Sequence, residues 1–207
     1  MIRFLVISAA MPATALTEIP LLRGPVPLVH LLLHCFVRPG DRVVDATCGN
    51  GHDTLLLAQL TGSSGRVWGF DIQRSAIDET ARRLAAAGLS EQVTLLQTGH
   101  ESMAAHLAGP LQLVLFNLGY LPGGDRSLIT RPETTISALQ LSLGLLAPGG
   151  FVLLTIYPGH SGGEDERQVV DSWAAALPPG AWHCWRMGQL NVSSDAPYCI
   201  IVQKVVR

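Results

Sequence analysis

Short runs of apolar, often β-branched residues alternate with longer stretches of helical periodicity along most of the chain. The first apolar stretch, residues 25–36, has the length of a buried helix, and the RPGD turn that follows leads into a strand at Arg42–Ala46. Helices are predicted at Asp53–Leu60 and Ser75–Ala87, the second capped by Gly88, with a strand at Arg66–Asp71 between them. Strands follow at Val93–Gln97, Leu111–Phe116 and Phe151–Tyr157, and a helix at Glu133–Leu146 is stopped by APGG. This alternation predicts a mostly parallel sheet with helices on both faces. After a helix at Glu166–Leu177, two strands come in succession, Trp182–Leu190 and Tyr198–Val206, which predicts an antiparallel hairpin at the edge of the sheet.

Composition fits one buried core. At 207 residues, 48% hydrophobic and 14% charged, the chain is neither disordered nor long enough to demand several domains. It holds no apolar run of about 18 residues, the length that spans a bilayer; the strongest, Val26–Val37, is broken by Pro27, His30 and His34. The opening MIRFLVISAAMPATA has the outline of a signal peptide. It is read instead as an extension, packed or frayed, or as an early start with Met11 the true one. The expected organisation is an N-terminal extension at 1–24 and a single domain at 25–207, in the cytoplasm and away from membranes. Cys35, Cys48, Cys184 and Cys199 have no CxxC spacing and read as buried reduced thiols, and no metal site is expected from such scattered His and Cys. A net charge of −2 argues against a strongly electrostatic nucleic-acid binder, although 14 basic residues include only one lysine and the arginines suit local phosphate contacts.

The chemistry concentrates where the first strand ends. Asp45-Ala46-Thr47-Cys48-Gly49-Asn50-Gly51-His52-Asp53 opens the next helix, and Asp71 closes the second strand 22 positions after Gly49. Glycines let the backbone approach a ligand, and an acid at the second strand's end can accept both ribose hydroxyls of an adenosine. A lone G-x-G is weak, but strand, loop, helix and acid together point to a nucleoside-cofactor site. Thr54 stands where a dinucleotide fingerprint has its third glycine, and Asp45 suits an ammonium better than a pyrophosphate. S-adenosyl-L-methionine, with an ammonium, a carboxylate and a sulfonium but no phosphate, fits that loop.

The segments DATCGNGHDT, GFDIQ, TGHE, FNLGYLPGGD and TRPETT, followed by IYPGHSGG and DAPYCIIVQK, resemble the small Rossmann-like proteins once named as rRNA methylases. That family is understood to methylate the 5-aminomethyl group of wobble 2-thiouridine in tRNA. The resemblance runs from about Pro25 to the C-terminus. It implies a seven-stranded class I methyltransferase sheet with a reversed last strand, S-adenosyl-L-methionine as cofactor and the tRNA anticodon loop as partner. It places Asn50, His52 and Asp53 around the methionine end of the cofactor, Asp71 and Gln73 at the ribose and adenine, and His100 and Glu101 in the loop after the third strand. His52 departs from the smaller polar residue expected there. A homodimer would enlarge the surface offered to tRNA.

Asn117-Leu118-Gly119-Tyr120 has the spacing of the N-P-P-Y loop of amine methyltransferases acting on nucleobases. An amide oxygen at Asn117 and the Leu118 carbonyl can orient an amine, while Tyr120 can stack on a base. The plainer reading is a strand-end turn with a core tyrosine. Gly123-Gly124-Asp125 and Thr130-Arg131-Pro132 are expected to form a loop over the acceptor, with Asp125, Arg126 and Arg131 as substrate contacts. Two rivals compete. Gly159-His160-Ser161-Gly162-Gly163 fits the G-x-S-x-G elbow of hydrolases, with Asp171 and His183 following in triad order, but this leaves the DATCGNG loop and Asp71 unused. A nucleotide-binding module without turnover would have no need of the Asn117–Tyr120 loop.

Overall fold

The computed structural model describes residues 21–119, 123, 129–159 and 162–206. A helix, α1 (Pro25–Phe36), starts on a proline whose missing N–H costs nothing at a helix N-terminus. The chain then builds β1 (Arg42–Asp45), α2 (His52–Thr61), β2 (Arg66–Asp71), α3 (Arg74–Ala86), β3 (Val93–Gln97), β4 (Leu111–Leu118), α4 (Pro132–Leu145), β5 (Leu146–Ile156), α5 (Gly163–Ala176), β6 (Trp182–Gly188) and β7 (Tyr198–Lys204). The seven strands form one sheet in the order β3-β2-β1-β4-β5-β7-β6. β1 to β5 are mutually parallel where they pair, and β7 runs antiparallel to both β5 and β6. The fold is thus the expected Rossmann-like sheet. The reversed strand, however, sits one place in from the edge, and β6 is the edge.

Alternating strand residues feed two cores, one per face. Val43, Val67, Leu113 and Leu153 face Val29 and Leu33 of α1, Leu57 of α2 and Leu84 of α3. Val44, Phe70, Val114, Phe116 and Leu154 face Leu139 of α4 and Val170 of α5. Central strands buried on both faces read as unbroken apolar runs, which is why they were visible in the sequence.

The largest boundary shift is at β5. β5 begins at Leu146, directly after α4, instead of at Phe151: Leu146 pairs with Leu111, the register shifts, and pairing resumes between Leu113 and Phe151. APGG is therefore an irregularity inside the strand's span, where Gly149 takes a positive φ of 77°. The cysteine expectation also splits, since Cys48 and Cys199 are buried but Cys35 and Cys184 are exposed. Residues 1–20 of the expected N-terminal extension lie outside the described residues. No described helix is long and apolar enough to cross a membrane.

The chain runs outward from β1 through β2 to β3 and then returns to place β4 on the other side of β1. Loops leaving β1 and β4 diverge there, opening a crevice at the strands' C-terminal ends.

Candidate functional site

A cleft of about 860 Å³ occupies this crevice, a size suited to a nucleoside with room for a second reactant. Its first half is built by the loop after β1, and that loop is held by backbone groups. Gly49 N–H donates to Asp71 Oδ2 at 3.0 Å and Gln73 N–H to Asp71 Oδ1 at 2.9 Å. Thr80 Oγ1 donates to the Gly49 carbonyl at 2.9 Å, and Arg83 Nε to the Asn50 carbonyl at 2.9 Å. Gly51, at φ 77°, approaches α3 so closely that a Cβ would lie 2.7 Å from Thr80 Oγ1. Burial raises the Asp71 carboxyl above its ordinary pKa, and its backbone hydrogen bonds hold the rise in check. Beside it Ile72 is 52% exposed and lines the cleft, an apolar surface for a planar ring.

Asp45 lies beneath this floor. It is fully buried, accepting from Thr54 Oγ1 at 2.6 Å and from Thr47 N–H at 3.2 Å. Burial, joined by the negative charge of Asp53, pushes its pKa up to about 7 against the Thr54 hydrogen bond. Neither Asp45 nor Gly51, both expected at the cofactor, lines the cleft; they sit directly behind it. The physical reason is packing: Asp45 on β1 turns to Thr54 of α2, and Gly51 lies against Thr80 of α3.

His100 opens a short 3-10 helix, His100–Ala105, after β3. Its Nδ1 lies 3.3 Å from the Ala46 carbonyl, so Nδ1 is the donor, and its buried Nε2 has no partner among the described residues. Burial lowers its pKa, which keeps the ring neutral. Glu101 is exposed on the cleft wall.

The second half of the cleft gathers distant segments. Asn117, at the end of β4, receives its place from Thr47, whose Oγ1 accepts the Asn117 N–H at 2.7 Å. Asn117 Nδ2 donates to Asp53 Oδ2 at 2.7 Å, and His30 Nε2 stands 2.7 Å from Asp53 Oδ1. The Leu118 side chain is buried in the core, and Gly119 O accepts Thr130 N–H at 2.9 Å, tying together the two ends of the intervening loop. The buried carboxylate of Glu166 in α5 accepts from Thr130 Oγ1 at 2.6 Å and Thr135 Oγ1 at 2.7 Å. Arg131 is exposed at the N-cap of α4 and lines the cleft.

The cleft thus brings together Gly49, Asn50, His52, Asp53, Asp71, Gln73, His100, Glu101, Asn117, Leu118 and Arg131. Tyr120, Asp125 and Arg126 lie outside the described residues. Sequence reasoning missed His30, Tyr157, Asp195 and Pro197, which also line the cleft. Only His30 carried a signal, as a polar break in an apolar helix. Asp195 and Pro197 arrive from the β6–β7 connection, a position that no local spacing encodes.

Among the described residues, the Asp171–His183 part of the hydrolase constellation is not assembled. Ser161 lies outside the described residues, and the Asp171 carboxylate accepts from Tyr198 OH at 2.7 Å and pairs with Arg167 and Arg186. His183 is exposed on the edge strand, and no hydrogen bond joins it to Asp171.

Comparison with known proteins agrees with this fold. The family model described as "Putative rRNA methylase" matches residues 67–203. A protein from Arabidopsis thaliana named "tRNA (mnm(5)s(2)U34)-methyltransferase, chloroplastic" is 39% identical over 174 residues, covering 79% of this chain. The match spans 64% of that relative's own length, less than two thirds. A crystal structure titled as a putative rRNA-methylase from Clostridium thermocellum superposes with a TM-score of 0.87 at 40% identity, covering 90% of this chain and all of that one (100%). A second, described as "a putative methyltransferase" from Streptococcus mutans in complex with SAH, gives 0.80 at 28% identity, covering 89% of this chain and 100% of its own.

Proposed function

Because the chain belongs to the rRNA methylase family, we propose that it transfers a methyl group from S-adenosylmethionine to the primary amine of 5-aminomethyl-2-thiouridine at the wobble position of tRNA. The observation that carries this reading is the charge of the cleft. Asp53, Asp71, Glu101 and Asp195 line it, against Arg131 as the one lysine or arginine among the described lining residues. Such a site suits reactants that bring positive charge and N–H donors, and it disfavours a pyrophosphate. The relatives supply the rest: one is crystallised with SAH and another is named for this wobble nucleoside.

The residues fit the cofactor half to half. Asp71 is fixed by two backbone amides with lone pairs remaining for ribose hydroxyls, Ile72 offers an apolar face to adenine, and the Cys48–Asn50 backbone borders the methionine end. When bound, S-adenosylmethionine supplies an electrophilic methyl carbon on a sulfonium. Asn117 and the Leu118 carbonyl accept hydrogen bonds from the amine and aim its lone pair, and alignment of this kind is most of what a displacement needs. Asp53 and Asp195 attract the amine in its cationic form; the amine loses a proton before its lone pair takes the methyl group and leaves S-adenosylhomocysteine, and Arg131 at the rim is placed for a phosphate.

Purified protein, tRNA carrying the aminomethyl base and S-adenosylmethionine should yield the monomethylated nucleoside, read by mass spectrometry of digested tRNA. Methylation of rRNA or a free metabolite with that nucleoside untouched would remove the substrate assignment.

A further inference from the structure

α1 buries Val29 and Leu33 against the sheet, yet His30 between them turns to the cleft with 37% of its side chain exposed. It meets the oxygen of Asp53 that Asn117 does not use: Oδ1 stands 2.7 Å from His30 Nε2, and Oδ2 accepts from Asn117 Nδ2 at 2.7 Å. A carboxylate only accepts hydrogen bonds, so the Asn117 amide must turn its NH2 toward Asp53 and its oxygen away. A single bond would leave the carboxylate free to rotate about its own side-chain torsions. Two opposed bonds fix its plane, and the 15% exposure of Asp53 limits competition from water.

We propose that His30 is the positioning residue of the acceptor site: by clamping Asp53 it holds the Asn117 amide oxygen toward the incoming amine. The proposal rests on the reading of this cleft as that of an amine methyltransferase. It makes α1, which precedes the cofactor-binding strands, a part of the acceptor half. It predicts a preference for N–H-bearing acceptors over carbonyl oxygens, because the presented atom accepts and does not donate. His30 fulfils this role from Nε2–H whether the ring is neutral or protonated.

Two measurements decide it. In the protein saturated with S-adenosylhomocysteine, the Asn117 side-chain amide signals, assigned against Asn117→Ala, should be well dispersed in a nitrogen–proton NMR spectrum. His30→Ala should move them toward free-asparagine positions, and His30→Gln, which can still donate to Asp53, should keep them. Unchanged signals in His30→Ala overturn the proposal whatever the acceptor is. On aminomethyl tRNA, His30→Ala should lower kcat about tenfold, with KM and S-adenosylhomocysteine affinity within about threefold and most of the rate restored in His30→Gln. In an Asn117→Ala background His30→Ala should cost no more than about twofold, because the group it positions is gone. Independent, multiplying losses would overturn the role. Failure of the wild type on this tRNA would count against the substrate alone, since the amide spectrum still tests the clamp.

Discussion

The two halves of the cleft are built by different means. In the cofactor half, one acid, Asp71, holds two backbone N–H groups, and its partners lie 22 and 2 residues away in sequence. In the acceptor half, side chains hold side chains across longer stretches: Asn117 to Asp53 over 64 residues, Thr130 to Glu166 over 36 and Thr135 to Glu166 over 31. A backbone-anchored loop tolerates changes in its own side chains but depends on the few groups that hold its backbone, Asp71 with Thr80 and Arg83. A side-chain network spreads its dependence over several elements, and small changes in any of them displace the reacting group.

The sharpest test of this division is Asn117→Ala. It should lower kcat by about 100-fold while S-adenosylhomocysteine affinity changes less than about threefold, the behaviour of an interaction made chiefly in the transition state. A parallel loss of cofactor affinity would merge the two halves. Asp71→Ala should do the reverse, weakening S-adenosylhomocysteine by about 1–3 kcal/mol in calorimetry, because two backbone amides lose their acceptor along with the ribose contact. NAD binding as tightly as S-adenosylhomocysteine would defeat the cofactor assignment.

Asp45 gives a smaller effect with a defined pH dependence. Its folded pKa is raised from 3.8 to about 7, so the folded protein holds a proton that the unfolded chain releases. Its contribution favours folding most at low pH and is lost as pH rises from about 4 through about 7. Asp45→Asn keeps an acceptor for Thr47 N–H and should raise the Tm of the ligand-free protein by a few degrees at pH 8, with little gain at pH 4. Thermal unfolding across that range checks it; an equal shift at both ends would contradict the protonation account. Smallest of all, Ser161→Ala should leave methyl transfer within about twofold, and loss of an esterase activity in that variant would revive the hydrolase reading.

These differences follow what was legible in the sequence. The strand, loop and acid from Asp45 to Asp71 could be read because glycine and acid occur at spacings that local geometry demands. Asp45 and Gly51 were recognised as part of that loop, but their depth was not, since burial beneath α2 and against Thr80 of α3 depends on packing between elements. Asn117 stood out by its place after an apolar strand. His30 showed only as a polar break in an apolar helix, because its partner lies on another helix and is met only when α1 folds back over α2. Asp195 entered with the β6–β7 connection, whose return beside β5 is a property of the sheet order. The early start of β5 was hidden for a similar reason: Leu146 continues the helix's apolar rhythm, and its pairing with Leu111 is a tertiary fact.

The most direct test of the amine-reading acceptor half compares two tRNAs that differ only at the wobble base, one with the 5-aminomethyl group and one with unmodified uridine. With enzyme in excess and labelled S-adenosylmethionine, a single turnover should place one methyl group on the first and none on the second. Equal labelling of both would contradict the account.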